Sequence, residues 1–197
     1  MRQFLPSPDL AYNCTLHAWW ENAFSDEELD AICNIGDRLP IQNSQIGSAA
    51  NGKVSKEIRA SVNSWIDAEG WIADRLETVA RELNGQFFGL DLWGFGEKFQ
   101  YTVYKYKKKE ESHYTWHMDT GPGKGVPRKL SMVLQLSDPT EYEGGDLEIM
   151  TGSQPIPVRK RKGIIHAFPS YVLHRVTPVT KGIRRTLVVW VSGPRFR

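Results

Sequence analysis

What this chain has little of narrows it first. It carries two cysteines, Cys14 and Cys33, too few for a disulfide framework and not spaced as C-x-x-C. Both read as small reduced core residues. No apolar run approaches the length of a bilayer span. The N-terminal MRQFLPSPDLAYN lacks the hydrophobic stretch of a secretory signal. A reducing, cytoplasmic setting with no membrane partner is therefore the expectation. Charge of one sign is also lacking: 25 Lys and Arg against 23 Asp and Glu leave a net +2. That excludes a whole-molecule field drawing in nucleic acid, so nucleic acid is not an expected partner. Repeats, low-complexity tracts and interdomain linkers are missing. With 40% hydrophobic residues in 197 positions, the chain reads as one domain, residues 1–197, with a core of its own. No feature specifies an oligomeric state.

What is present divides into two halves. Residues 1–96 read as a helical support region. Ser25-Asp26-Glu27-Glu28 is a capping box, flanked at the staple positions by Phe24 and Leu29. Leu29, Ile32 and Cys33 continue as a helical stripe, with Gly36 as the expected stop. In the second helix Ile72, Leu76, Val79 and Leu83 share one face, Glu77 and Arg81 pair across one turn, and Asn84-Gly85 is the expected end. Residues 40–58, rich in Gln, Asn, Ser, Gly and Ala, read as a loop.

Residues 97–193 read as short strands: 99–106, 114–119, 130–136, 146–150, 156–159, 163–168, 171–176 and 184–192. Turn signals separate them at Gly121-Pro122-Gly123, Ser137-Asp138-Pro139, Gly144-Gly145, Lys162-Gly163 and Pro169-Ser170. Helices first and many strands after predict an α+β fold, a barrel or jelly roll with the N-terminal helices packed on one sheet. Helices do not alternate with strands, which argues against a doubly wound sheet.

The chemistry concentrates at His117-Met118-Asp119 and His174. A His and an Asp two apart share one face of a strand. A second His from a distant strand completes two imidazoles and one carboxylate, the facial triad of non-heme Fe(II) oxygenases, with positions left open opposite. Trp116 and Met118, on the other face, are expected to anchor the strand. Arg184 opens a strand in which Thr186, Val188 and Trp190 share its face; if that face is inward, the guanidinium needs an anionic partner such as a carboxylate ligand. Periodicity alone leaves Arg185 as the alternative inward residue.

The ordered set Tyr114-x-x-His117-x-Asp119, Glu143-Gly144-Gly145-Asp146-Leu147, Gly163 to Phe168, Pro169-Ser170, His174-Arg175-Val176-Thr177-Pro178-Val179 and Gly182-Ile183-Arg184 resembles the Fe(II)/2-oxoglutarate dioxygenases. Within them it is most similar to the prolyl 4-hydroxylase branch, especially the bacterial PKHD-type hydroxylases, across roughly residues 97–193. The resemblance implies a double-stranded β-helix. It implies His117, Asp119 and His174 as Fe(II) ligands and catalytic centre, and Arg184 as partner of the distal carboxylate of 2-oxoglutarate. It also implies O2 as co-substrate, ascorbate as an accessory reductant, and hydroxylation of an unactivated C–H with succinate and CO2 as co-products. A prolyl residue of a peptide or protein is the first substrate expectation. A free amino acid, another small molecule, or a non-catalytic metal-binding module are the alternatives. Arg184 departs from the lysine of collagen-type prolyl hydroxylases. Nucleic-acid demethylation fits less well, because Trp190 stands six after Arg184 where that group carries another arginine.

Further pocket candidates follow from alternation and from the resemblance. Ser131, Val133 and Gln135 oppose the apolar Leu130, Met132, Leu134 and Leu136, so Gln135 or Ser131 could help hold the co-substrate carboxylate, or face solvent. Tyr106, in preference to Tyr104, resembles the tyrosine that contacts 2-oxoglutarate. Gly144-Gly145 reads as a scaffold turn and His166 as an ordinary strand residue; nothing recommends His17. The basic run Arg159-Lys160-Arg161-Lys162 reads as a solvated hairpin tip, with an acidic partner as the alternative. Residues 40–58, 107–113 and 120–129 are the expected mouth and lid.

Overall fold

The computed structural model describes residues 15–43, 58–106, 108, 112–120 and 126–195. Cys14, the leading segment, the Gly121-Pro122-Gly123 turn, and most of the 40–58 and 107–113 segments lie outside them.

Strand β1 (Ala18–Trp20) leads into helix α1 (Asp26–Arg38). The Ser25 hydroxyl accepts from the Glu28 amide and Glu28 reaches back to the Ser25 amide, so the predicted capping box is present. Phe24 and Leu29 are both buried, as a staple requires. Gly36 does not end the helix, which runs on to Arg38. Its hydrogen side chain is instead a packing requirement: a Cβ there would sit 2.4 Å from the Tyr101 ring.

Short strands β2 (Gln42–Asn43) and β3 (Val62–Ile66) precede helix α2 (Gly70–Leu83). Ile72, Leu76, Val79 and Leu83 are all buried, and Arg81 donates to Glu77 at 2.8 Å on the outside. Each such aliphatic side chain contributes about 2 kcal/mol when fully buried. The chain does not stop at Asn84-Gly85; a π-helical turn, Asn84–Phe88, follows and ends at Gly89 in the left-handed region. Asn84 is used differently, its amide bonding both backbone groups of Leu90.

The remaining strands are β4 (Gly94–Phe95), β5 (Phe99–Lys105), β6 (Ser112–His117), β7 (Arg128–Gln135), β8 (Tyr142–Gly144), β9 (Leu147–Met150), β10 (Pro155–Pro157), β11 (Ile165–Pro169) and β12 (His174–Ser192). The predicted strands 171–176 and 184–192 are therefore one strand of 19 residues. Residues 1–96 are not only helical either, since β1 to β4 lie within them.

Two antiparallel sheets share β12. Its first part pairs with β6, β8 and β9, and β10 adds to β9. Its second part pairs with β4, β5 and β7, in a sheet ordered β1-β11-β7-β12-β5-β3-β2. The strand changes sheets at Gly182, which pairs with Tyr142 on one side while Ile183 pairs with Lys105 on the other. Gly182 has φ 72°, and a Cβ on it would lie 2.0 Å from the Glu141 carbonyl oxygen, so only glycine makes this bend. This is the α+β jelly roll expected from the sequence.

Alternation then sorts two cores. Leu130, Met132, Leu134, Leu187, Val189 and Val191 pack outward against the helices. Between the sheets lies a smaller cluster of Tyr104, Val133, Leu147, Ile149, Phe168 and neighbouring valines. The inner faces that carry this second cluster also carry the polar residues of the site. No helix among the described residues is long and apolar enough to cross a membrane.

Candidate metal centre

Strand β12 begins where β6 ends, and this register brings His174 directly opposite His117. Asp119 lies two residues past the end of β6, not within a strand as predicted. Its amide donates to the Ser170 carbonyl at 2.8 Å, which turns its side chain back toward the two imidazoles. One nitrogen from each His and one Asp119 oxygen all lie within 4.8 Å of one another. Nε2 of His117 is 3.8 Å from Oδ1 of Asp119, and Nε2 of His174 is 3.5 Å from Oδ2.

Both rings are oriented by the same local device. Nδ1 of His117 donates to the Thr115 carbonyl at 2.7 Å, and Nδ1 of His174 donates to the Val172 carbonyl at 2.9 Å. A carbonyl can only accept, so each Nε2 lone pair is left facing the centre. Tyr114 stacks on His117 at 3.4 Å between centroids, and Phe168 packs on His174 at 4.6 Å. Ser131 donates to Oδ2 of Asp119 at 2.9 Å and is itself linked to Ser170. The sequence reading offered Ser131 the co-substrate carboxylate or solvent; its hydroxyl instead bonds a residue of the triad.

Electrostatics match the donor set to a divalent cation. Burial, then repulsion from His174, holds His117 well below the ordinary imidazole value. Burial alone would raise Asp119, but attraction to the two imidazoles outweighs it and holds the carboxyl below the usual carboxylate range. No lysine or arginine pairs with this buried carboxylate among the described residues. A buried carboxylate without a cation is costly. Two imidazoles and one carboxylate around a common point therefore fit a metal such as Fe(II).

Arg184 is 2% exposed, on the inward face, while Arg185 turns outward to Asp37. Nε of Arg184 has no hydrogen-bond partner, and no carboxylate pairs with its guanidinium among the described residues. It lines a small cavity with Val133, Gln135, Tyr142, Gly145 and His166. Gln135 donates to the Tyr142 hydroxyl and the Ser137 carbonyl, both at 3.1 Å, and so forms part of the wall. Gly145 is more than a scaffold turn: a Cβ there would come within 2.9 Å of Cδ of Arg184, so the glycine leaves room for the guanidinium stem.

Tyr106 is not at this cavity. It is 43% exposed, just past the end of β5, whereas Tyr104 is 4% exposed and pairs in register with Arg184. The Arg184 guanidinium lies 5.4 Å from the Tyr104 ring centroid. The two tyrosines have the same parity, so alternation could not separate them; the strand ends between them.

Trp190 is buried on the inward face, with Nε1 turned toward Asp119 and lowering its pKa yet falling short of a hydrogen bond. Arg128 covers the indole at 3.5 Å and is clamped by Glu97 at 2.6 Å through two bonds. Trp116 and Met118 do not anchor β6: Met118 is 56% exposed, and Arg175 stacks over Trp116. The sequence reading also missed Arg59. It is buried over the Tyr114 ring at 4.5 Å and bonds only neutral Ser61 and Asn63 among the described residues. The basic run is no free patch. Arg159 and Arg161 pair with Glu21, Lys160 with Asp146 and Lys162 with Asp30, which ties the N-terminal segment to the sheets.

The profile of the 2OG-Fe(II) oxygenase superfamily matches residues 99–192, the stretch that holds the triad and Arg184. The match takes in just under half of the chain. The sequence relatives it resembles include PKHD-type hydroxylases. A PKHD-type hydroxylase of Synechococcus sp. (strain CC9311) is 42% identical over 87 residues, covering 44% of this chain and 40% of the relative. One from Prochlorococcus marinus is 30% identical over 147 residues, covering 73% of this chain and 59% of the relative. The chain thus spans about half the length of the curated relatives it matches. Among solved structures, a Pseudomonas putida prolyl-4-hydroxylase shares the fold with TM-score 0.68 at 21% identity, covering 95% of this chain and 96% of that one. A Trichoplax adhaerens prolyl hydroxylase, solved with a hypoxia inducible factor peptide fragment, gives TM-score 0.72 at 18% identity, covering 90% and 83%.

Proposed function

We propose that this protein is an Fe(II)- and 2-oxoglutarate-dependent hydroxylase, and that its substrate is a prolyl residue in a peptide or protein. The observation that carries the reading is one continuous inner surface. It holds three convergent metal donors beside Ser131 of β7 and, further along the same strand at Gln135, a buried arginine without an anion. His117, Asp119 and His174 hold the iron, and Arg184 pairs with the distal carboxylate of 2-oxoglutarate. When bound, the iron with 2-oxoglutarate and O2 supplies the oxidising chemistry: one oxygen atom enters a substrate C–H bond, the other enters succinate, and CO2 leaves.

The chain's own residues bind, orient and shield. Ser131 fixes the Asp119 carboxylate, and the Thr115 and Val172 carbonyls fix the two imidazoles. Arg184 binds a carboxylate in an apolar surround, where a charge-assisted pair is strong. Phe168, Val133 and Leu147 keep water from the buried side of the centre. Ascorbate as accessory reductant and a cytoplasmic setting belong to the same proposal. The prolyl assignment is supported by the names of the relatives, and by a basic run that is spent on internal ion pairs and so gives no support to a nucleic-acid substrate.

The test is mass spectrometry of prolyl peptides incubated with the iron-loaded protein, 2-oxoglutarate and O2. The proposal expects a gain of one oxygen on proline, matched by succinate. Succinate without any oxygenated proline, but with an oxygenated free amino acid, would replace the peptide substrate by a small molecule.

A further inference from the structure

His17 and His166 lie outside the metal triad, and no step above uses them. His166, on β11, is 3% exposed and lines the same cavity as Arg184. Its Nε2 is 2.9 Å from the Arg159 carbonyl oxygen, and its Nδ1 is 3.0 Å from Nε2 of His17. The carbonyl can only accept, so Nε2 of His166 carries the hydrogen, its Nδ1 accepts, and His17 donates. The two rings stack at 5.1 Å, and half-buried His17 stacks in turn on exposed Trp19. The pair therefore runs from the surface to the cavity wall.

An added proton has a place in this arrangement. On Nδ1 of His166 it would be donated to Nε2 of His17, once His17 carries its own hydrogen on Nδ1. Both N–H groups of the resulting imidazolium would stay hydrogen-bonded, one to His17 and one to the Arg159 carbonyl. Burial opposes it most and holds His166 at about 4; the Arg159 carbonyl pulls upward, and His17 and the positive charge of Arg184 add smaller downward pushes. The other charged or titratable groups of the cavity wall are Arg159, Lys160 and Tyr142, with no carboxylate among the described lining residues. Arg159 pairs with Glu21, which it shares with Arg161, and Lys160 pairs with Asp146, both at 2.8 Å. Arg184 is the wall cation without a counter-ion, and it is the one that a dicarboxylate would neutralise.

We propose that the His17–His166 pair is a proton-binding site in the wall of the co-substrate cavity, and that seating a dicarboxylate against Arg184 draws a proton from solvent onto the pair. The inference rests on the reading of this cavity as the 2-oxoglutarate site. The proton enters at His17, the outer ring; no covalent bond between heavy atoms changes. By linkage, whatever the ligand does to the proton the proton does to the ligand, so affinity for 2-oxoglutarate rises as pH falls toward the value of about 4 at which His166 titrates in the free protein.

The test is calorimetric titration of 2-oxoglutarate into metal-loaded protein without O2, in buffers of different ionisation enthalpy, at about pH 5.5 and about pH 7.5. The proton count per ligand should be higher in the wild type at the acidic pH. His166→Leu should lose that excess, and His17→Phe, which keeps a stacked ring, should reduce it. In parallel, the His166 ring signals of the wild-type protein should titrate higher with 2-oxoglutarate than without it, a readout that needs no variant to fold. Binding with the same proton count in all three proteins, or a His166 titration unmoved by the ligand, would overturn the proposal alone. No binding of 2-oxoglutarate at all would overturn it together with the co-substrate reading.

Discussion

At the residue scale, Ser131 and Arg184 separate the two halves of the proposed site, because the proposal gives one to the metal and the other to the co-substrate. Ser131→Ala removes the hydroxyl that orients Asp119 and leaves every metal donor in place. Fe(II) affinity should fall about 10- to 100-fold, the usual effect of losing a partner behind a ligand. Unchanged affinity in an anaerobic metal titration would show that the Ser131 bond does not position the carboxylate. Arg184→Ala should leave Fe(II) binding intact and weaken 2-oxoglutarate about 100-fold, the worth of a charge-assisted pair of about 3 kcal/mol. A 2-oxoglutarate dependence that survives this substitution would transfer the role to another anchor. Much of this was legible, because His117, Asp119, His174 and Arg184 combine residue types and parities that few other arrangements need. Tyr104, Gly145, Arg59 and the His17–His166 contact were not. Each depends on where a strand ends or on which distant strand lies beside it, and alternation within one strand carries neither fact.

At the element scale, the fold was legible where a segment buries one clean face and illegible where it buries polar groups. Helix α2 and the outer face of β7 show the first case, with every apolar position read from the sequence buried. Strand β3 shows the second: Asn63 and Ser64 are buried because they bond Gln100 and the Gly36 carbonyl, so no apolar alternation marks the strand. The single long β12 was read as two because Gly182 breaks the pattern at the point where the strand changes sheets. Gly182→Ala would put a Cβ into the Glu141 carbonyl at a φ that side chains avoid. It should destabilise the protein by at least about 2 kcal/mol in denaturant unfolding. Ser25→Ala, which removes the α1 cap far from the site, should cost about 1 kcal/mol and leave metal affinity unchanged. If the two variants were equally stable, the bend would not carry the weight assigned to it.

At the scale of the whole molecule, the buried histidines set how the metal-free protein responds to acid. His166 is held at about 4, and His117 is held low as well, both below the ordinary 6.5, first by burial. In the unfolded chain each takes up its proton as pH falls through about 6.5; in the native protein it does not. The unfolded state therefore binds more protons over this window, and stability is lost as pH falls from about 6.5 to about 4. His166 alone accounts for about 3 kcal/mol of that loss. Urea midpoints for the chelator-treated protein should fall across this range and stay level above about pH 7. A His166→Leu variant should show a shallower fall, and an equal slope would mean that His166 is protonated in the native protein.

The most direct measurement of the central claim is anaerobic titration of Fe(II) and 2-oxoglutarate into the protein, followed by admission of O2 and assay of succinate. The account predicts a visible charge-transfer band that needs both additions, is absent in His174→Ala, and gives way to succinate when O2 enters. Metal binding with neither band nor succinate would contradict it and leave a metal-binding jelly roll without this chemistry.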